Sequence, residues 1–379
     1  MRVLSLTSLF PSRARPYLGL AVHRRLKAIA KLCELRVVAL RTYGGVSEAE
    51  LVDGIHIVRP RWRRVPKASV LLDGYLCARA ALRAVPLIYP GLDFQVIDAH
   101  WVYPDGFAAS IVAARLRKPL VLTARGTDVN QYCFRWPVGY LARRAIRSAT
   151  HLVAVSSALR ERMIEAGAAP ERVSVIPNGV DTQLFHPADR QVARAELGLG
   201  QHEQVLFSAG ALVRQKGFDA LIEGLARVRD GDLRLYIAGS GPRRARLERL
   251  AGRLGLAGRV KLLGSLAPGE MARWYQAADL FVFGSWREGC PNVVLEALAC
   301  GTPVVATRVG GTPELVREGR DGLLFEPRSP DAFAQALLEA LSRTWDHQAI
   351  AQRAAQRSWD NVARECLELF ERVLREHNQ

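Results

Sequence analysis

Two hydrophobic rhythms alternate along almost all of this chain. Short runs rich in Val, Ile and Leu are each followed by a longer segment in which apolar residues return every three or four positions. In the front half the short runs are RVLSLTSLF, LRVVAL, IHIVR, QVIDAH, PLVLTA, HLVAVS and RVSVIP. In the back half they are QVLFSAG, LRLYIAG, VKLLG, LFVFGS, PVVATR and GLLFEP. Runs that are apolar on both faces read as buried strands, and strands alternating with helices predict parallel sheets covered on both sides. The rhythm breaks at PNGVDTQLFHPADRQVARAELGLGQHEQ, where turn residues and a Pro intervene. Two more segments of helical spacing follow the last strand, PDAFAQALLEALSR and SWDNVARECLELFERVLREH.

A chain of 379 residues exceeds the roughly 250–300 residues over which one core grows. The expectation is therefore an α/β protein of two Rossmann-like domains facing a cleft: residues 1–183, residues 184–357, and a last helix over 358–379 packing back on the first domain. No apolar stretch approaches the length of a membrane span. The six Cys form no C-x-x-C pair and have no His at metal-ligand spacing, so reduced thiols are expected, with neither disulfides nor zinc. The net charge of +16 is uneven. Residues 1–185 hold 27 Lys/Arg against 13 Asp/Glu, and residues 186–379 hold 26 against 24. The basic excess lies almost wholly in the front half.

Ligands of open parallel sheets sit beyond the carboxyl ends of the strands. After QVLFSAG, Arg214 and Lys216 occupy a short loop leading into a helix, a suitable clamp for a diphosphate. After LRLYIAG, Gly239-Ser240-Gly241 begins like a dinucleotide fingerprint, but Arg244 stands at the third glycine position. No P-loop is present. Asp230-Gly231-Asp232 precedes a strand and reads as an exposed turn. After LFVFGS comes WREGC and then the helix PNVVLEALACG, with Pro291 suited to the first helical position. Glu288 and Glu296 would lie about 12 Å apart along a helix, beyond the roughly 5–9.5 Å that glycosidase carboxylates need. Two acids gripping the two ends of an elongated, hydroxylated ligand fit better, with amides of the intervening turn free for a diphosphate.

The run EGCPNVVLEALACGTPVVAT resembles the E-x(7)-E signature of retaining glycosyltransferases of family 4, which have the GT-B fold. VRQKG, IAGSGPRRARLERLAGRLGLAGRVKLLGSL and RVGGTPELVREGRDGLLFEP also resemble this family, as do PYLGLAVHRRLKAIAK, DAHWVYPDG, LTARGTD, VAVSSALRERM and VIPNGVDTQLFHP in the front half. The resemblance spans essentially the whole chain. It implies a nucleotide-sugar donor, UDP- or GDP-linked, on the C-terminal domain and a saccharide acceptor on the N-terminal domain. Glu296 would bind ribose hydroxyls, and Glu288 the transferred sugar, beside the amides of Gly289, Cys290, Pro291 and Asn292, Pro291 itself having no N–H to give. Lys216, with Arg214, would neutralise the departing diphosphate, and Gly19 and Gly241 would let backbone approach the donor. Neither cofactor nor metal is implied.

Two departures stand out. Ala211 replaces an Arg common in the family, and Arg214 is the candidate substitute. Arg125 stands in LTARGTD where many members have His; as a guanidinium it is a hydrogen-bond donor, not a base. Glu288, Lys216 and Arg125 are thus the catalytic candidates, with His100, Asp128 and Asn178 expected near the cleft. YLGLAVHRRLKAIAKL and RPRWRRVPKASVLLDGYLCARAALRAVPLIY, including Trp62 and Tyr75, are basic and amphipathic. They suggest peripheral contact with an anionic membrane and a lipid-linked acceptor, at the cytoplasmic face of the cell membrane. No nucleic-acid-binding pattern is apparent. A nucleotide-sugar epimerase of the same fold, or a catalytically silent binding subunit, are the alternatives.

Overall fold

The computed structural model describes residues 1–12, 18–40, 49–60, 70–200, 202–228 and 231–378. The chain divides into one unit of residues 1–178 with 359–379, and a second of residues 179–358. The first border lies five residues before the expected one at 183. Its cause is local: Val180 bridges Ser358 and its amide donates to the Arg357 carbonyl at 2.9 Å, so both passages of the border belong to the second unit.

The first unit is built on eight strands: β1 (Arg2–Thr7), β2 (Glu34–Ala39), β3 (Ala49–Val52), β4 (Ile55–Val58), β5 (Val96–His100), β6 (Leu120–Ala124), β7 (His151–Ala154) and β8 (Val173–Val175). Their order is β3-β4-β2-β1-β5-β6-β7-β8, parallel throughout except for β3 against β4. β3 has no counterpart in the expected strands. It is an edge strand with three of four residues exposed, so it lacks the apolar alternation that announces a strand. Its turn, Asp53-Gly54 at φ 50° and 80°, is the readable signal of a hairpin.

One core layer takes Val3, Val37, Ile57, Val96, Val121 and Val153 from six neighbouring strands. Two helices cover it, Leu20–Ala30 with Val22, Leu26 and Ile29, and Trp359–His377 with Val362, Leu369, Phe370 and Val373. At roughly 1.5–3 kcal/mol per fully buried large apolar side chain, the last helix is firmly part of this unit. The amphipathic pattern of YLGLAVHRRLKAIAKL is thereby explained: its apolar stripe is core, not a membrane face. The helix Asp73–Ile88 likewise buries Cys77, Ala81, Val85 and Ile88. Trp62 lies outside the described residues. Among the described residues no helix is long and apolar enough to cross a membrane.

The second unit contains β9 (Gln204–Ala209), β10 (Leu233–Ala238), β11 (Val260–Gly264), β12 (Leu280–Phe283), β13 (Val304–Thr307) and β14 (Gly322–Phe325). All are parallel, in the order β11-β10-β9-β12-β13-β14. Every strand expected in the back half is present. The order reverses between β9 and β12, which makes their carboxyl ends the place where a doubly wound sheet opens a crevice.

Candidate active site

Two loops meet at that reversal, one after β9 and one after β12. Arg214–Lys216 form a single helical turn and Gly217 caps the helix Phe218–Leu225. The Trp286 amide donates to the Gln215 carbonyl at 2.8 Å, and Gln215 Nε2 donates to the Arg287 carbonyl at 3.1 Å. The Ser285 hydroxyl also donates to the Gln215 carbonyl, at 3.2 Å. This lacing brings Lys216 Nζ within 2.6 Å of Glu288 Oε1, in a half-buried ion pair.

The lacing requires a glycine. Gly217 has φ 65°, and a Cβ on it would stand 1.9 Å from the Gly284 carbonyl oxygen. The left-handed conformation alone costs another residue about 1–2 kcal/mol, and the clash is with backbone that cannot step aside. Gly217→Ala is expected to part the two loops, lowering transferase activity at least about tenfold even where the fold survives. Activity within about twofold of the parent, with unchanged thermal stability, would refute the close-approach account.

The second loop rests on a third, after β13. Gly310 lies under the Glu288 carbonyl, and the Gly311 amide donates to the Gly289 carbonyl at 2.9 Å. Thr307 Oγ1 donates to the Ser285 carbonyl at 2.6 Å, and Ser208 Oγ to the Val282 carbonyl at 2.6 Å. Sequence reasoning misses these supporting residues; the small polar side chains closing β9 and β13 are the signal that points to them. Pro291 caps the helix Asn292–Ala299 and Asn292 is its first residue, one position from the expectation. Glu296 lies on this helix, 8% exposed, with Oε2 accepting from the Tyr275 hydroxyl at 3.2 Å. Burial, with Glu296 beside it, pushes the Cys300 thiol up, so Cys300 stays a neutral neighbour. Cys290 is also buried.

Arg214 stands over the Trp286 ring at 5.4 Å. The loops after β9 and β10 are zipped by backbone bonds from Leu212 to Ser240 and from Arg243 to Leu212. Gly241 is held against the Leu212 backbone by this zipper. Its result is a shallow concavity of about 510 Å³ lined by Arg214, Arg243 and Arg246, with Asp219 paired to Arg243 at 3.1 Å. Three guanidiniums beyond the ends of β9 and β10, two of them partnered by Asp219, favour an anion. Asp230 of the rejected D-x-D pattern lies outside the described residues.

The front-half candidates converge on one buried polar layer. Arg125 Nη1 donates to Asn178 Oδ1 at 2.8 Å, and its Nη2 lies 3.1 Å from His100 Nδ1. A guanidinium only donates, so His100 Nδ1 accepts and the imidazole proton sits on Nε2, 3.0 Å from Asp98 Oδ2. Burial pushes the His100 pKa down to about 4, against the pull of Asp98. Burial, with Arg25 nearby, lowers the Arg125 guanidinium to about 9. Asp128 accepts from the amides of Val102, Arg125 and Gly126 at 3.0, 3.1 and 2.7 Å. His100 and Asp128 are fully buried, and they hold Arg125 in place. Gly19, at φ 70°, caps the helix Leu20–Ala30, and a Cβ there would stand 2.2 Å from the Leu9 carbonyl oxygen. The close approach it permits is to its own chain.

The chain was compared with known proteins. Residues 18–184 match the family described as Glycosyltransferase Family 4, and residues 203–343 that described as Glycosyl transferases group 1. It is 31% identical to TuaC, named as a teichuronic acid biosynthesis glycosyltransferase, of Bacillus subtilis, over 92% of this chain and 90% of that one. It is 34% identical to D-inositol 3-phosphate glycosyltransferase 1 of Catenulispora acidiphila, over 85% and 82%. Among solved structures it is similar to a sucrose-phosphate synthase of Thermosynechococcus elongatus, with a TM-score of 0.83 at 21% identity and 99% coverage of both chains. HepE of Anabaena, in complex with UDP and glucose, gives a TM-score of 0.77 at 23% identity, covering 98% of this chain and 99% of that one. Two parallel sheets with a strand reversal in each, a Lys–Glu pair at the second reversal, and these likenesses agree: the chain belongs to the family 4, group 1 glycosyltransferases, enzymes of the GT-B fold.

Proposed function

We propose that the protein is a retaining, metal-independent transferase that moves a sugar from a UDP- or GDP-sugar to a lipid-linked saccharide in surface polysaccharide or glycolipid synthesis. The observation that carries this reading is the pair Lys216–Glu288, 2.6 Å apart at the strand reversal, with Glu296 eight positions further along. A cation, a carboxylate and a second, buried carboxylate in that order suit the diphosphate, the transferred sugar and the ribose of one extended donor. TuaC and HepE supply support by name: polysaccharide synthesis for the first, UDP and glucose for the second.

Cleavage of the anomeric C–O bond builds negative charge on the departing phosphate and positive charge on the sugar ring. Lys216 and Arg214 meet the first as it develops, and the Glu288 carboxylate holds hydroxyls of the sugar. The acceptor oxygen bonds to the anomeric carbon from the face the phosphate leaves, and its proton passes to the phosphate oxygen. Side-chain cations thus do the neutralising here, and no metal enters the step. Arg125, held by His100 and Asn178, is a fixed guanidinium of the first unit.

A donor screen tests this. With UDP-, GDP-, ADP- and CMP-sugars plus a membrane lipid extract, one UDP- or GDP-sugar is expected to release nucleotide only with acceptor, in the presence of a chelator, and to give a product of retained anomeric configuration. Acceptor-dependent release from no donor would overturn the proposal; a chelator-sensitive rate or an inverted product would overturn its finer part.

A further inference from the structure

The first unit carries a second feature that its core does not use. A cavity of about 470 Å³ is lined by Val70, Trp101, Tyr103, Tyr132, Arg135 and Trp136 among others, entirely within residues 8–138. Trp136 is the exposed apolar residue of its lining, and further exposed apolar residues flank the lining residues in sequence. Trp136 is 88% exposed, Tyr140 68% and Leu72 57%, with Leu71, Tyr75 and Phe134 also exposed. These six belong to two short segments, 71–75 and 134–140, which both contribute to the cavity wall. Single exposed apolar residues need no explanation; a cluster around one opening does.

The helices that leave this rim repeat one pattern. Val138–Ser148 buries Leu141, Ala142, Ala145 and Ile146 and turns Tyr140, Arg144 and Arg147 outward. Asp73–Ile88 buries Cys77, Ala81 and Val85 and turns Tyr75, Arg79 and Arg83 outward. In each, an aromatic ring stands at the rim and two arginines follow one and two turns away, which is the spacing of one helical face. Arg143 and Arg162 also stand over the Phe134 ring, at 5.3 and 4.0 Å. Across residues 70–90 and 131–148 the only acid is Asp73, and it is buried. An apolar, aromatic rim flanked by the exposed arginines Arg79, Arg83, Arg144 and Arg147 complements a bilayer whose headgroups are anionic: rings at the interface, cations at the phosphates.

We infer that this rim is the face by which the enzyme sits on an anionic phospholipid bilayer, with Trp136 and Tyr140 at the interface and the cavity behind them open to the lipid part of its acceptor. This deepens the proposal of a lipid-linked acceptor and rests on it. It retains Tyr75 and its neighbours from the membrane contact expected from the sequence, adds Trp136 and Tyr140, and drops the stretch Leu20–Ala30, whose apolar stripe is core.

Flotation of the purified full chain tests the surface without any sugar donor. At low salt the parent is expected to float with vesicles of phosphatidylcholine containing one-quarter phosphatidylglycerol, and to stay down with phosphatidylcholine alone. Trp136→Ser with Tyr140→Ser, and separately Arg144→Ser with Arg147→Ser, are each expected to lower the bound fraction about tenfold, with circular dichroism and Tm unchanged. Since all four side chains point to solvent, folding is not at stake. Flotation of either double variant like the parent, flotation of the parent with both vesicles alike, or with neither, would overturn the inference. A protein that floats through this face yet releases nucleotide from no donor keeps the surface and loses the transferase reading; one that transfers sugar but does not float does the reverse.

Discussion

Glu288→Ala is expected to lower kcat for acceptor-dependent nucleotide release by about 10²–10³-fold, the size of losing one fixed electrostatic contact to the reacting groups. The side chain is a partner of Lys216 at 2.6 Å on a part-exposed surface. With Glu288 14% and Lys216 24% exposed, its removal should cost the fold about 1–3 kcal/mol, so Tm read beside kcat separates chemistry from unfolding. Glu288→Gln keeps the shape and some hydrogen-bonding capacity and should fall between parent and alanine. Lys216→Ala should lose as much in kcat and also weaken the affinity for UDP, because its charge serves the diphosphate. Glu288→Ala should leave UDP affinity within about threefold, because its carboxylate serves the sugar. The double variant should be little worse than either single one, as expected when two groups act as a unit. Steady-state kinetics with UDP titration reads all four variants. A Glu288→Ala enzyme with more than about half the parent rate would remove Glu288 from the reacting centre.

Much of this architecture is legible in the residue pattern alone. The β-branched runs announce all six strands of the second sheet, because in a parallel sheet covered on both faces most strand positions are apolar. The spacing between Glu288 and Glu296 argues for a grip and against a hydrolytic pair, and they lie on a loop and the helix that follows it. Other features are hidden for definable reasons. The last helix is expected on the first domain, but periodicity does not say that Leu20–Ala30 and Trp359–His377, more than three hundred residues apart, are neighbours in one core. β3 is an exposed edge, so its residues obey no burial pattern. His100, Arg125 and Asn178 come from the ends of three separate stretches, and only the parallel register of β5, β6, β7 and β8 makes them one network. The exposed Trp136 and Tyr140 look like ordinary apolar positions of an amphipathic helix start, since a sequence does not reveal which side of a segment the core lies on.

That buried network supports the second large prediction: Arg25→Met should destabilise the first unit by about 3–5 kcal/mol, the cost of leaving a buried charge without its partner. Arg25 is 1% exposed and Asp98 not at all, and Arg25 Nη2 lies 3.9 Å from Asp98 Oδ1. Ser5 pairs in register with Asp98, and Thr123 with His100, so the charges sit in a polar layer on one face of the sheet. With Arg25 gone, Asp98 keeps only the neutral His100 at 3.0 Å and the more distant Arg125. Arg25→Met with Asp98→Asn removes both charges and should recover a large part of the loss, whereas independent sites would simply add. The same layer sets a pH dependence. His100 titrates at about 4 in the fold against an ordinary 6.5. Between those values the unfolded chain binds a proton that the folded one refuses, so its contribution is complete above about pH 6.5 and disappears as pH falls to about 4. Asp98, held below its ordinary value by His100 and Arg25 despite burial, acts in the same direction at still lower pH. Acidification from pH 7 to 4.5 should lower the Tm of the first unit by roughly 5–10 °C, and His100→Asn should flatten that slope while lowering stability at neutral pH. A parent protein whose Tm holds level down to pH 4.5, or an Arg25→Met variant as stable as the parent, would show that water or a counter-ion reaches this layer and that the charges are not confined as the geometry requires.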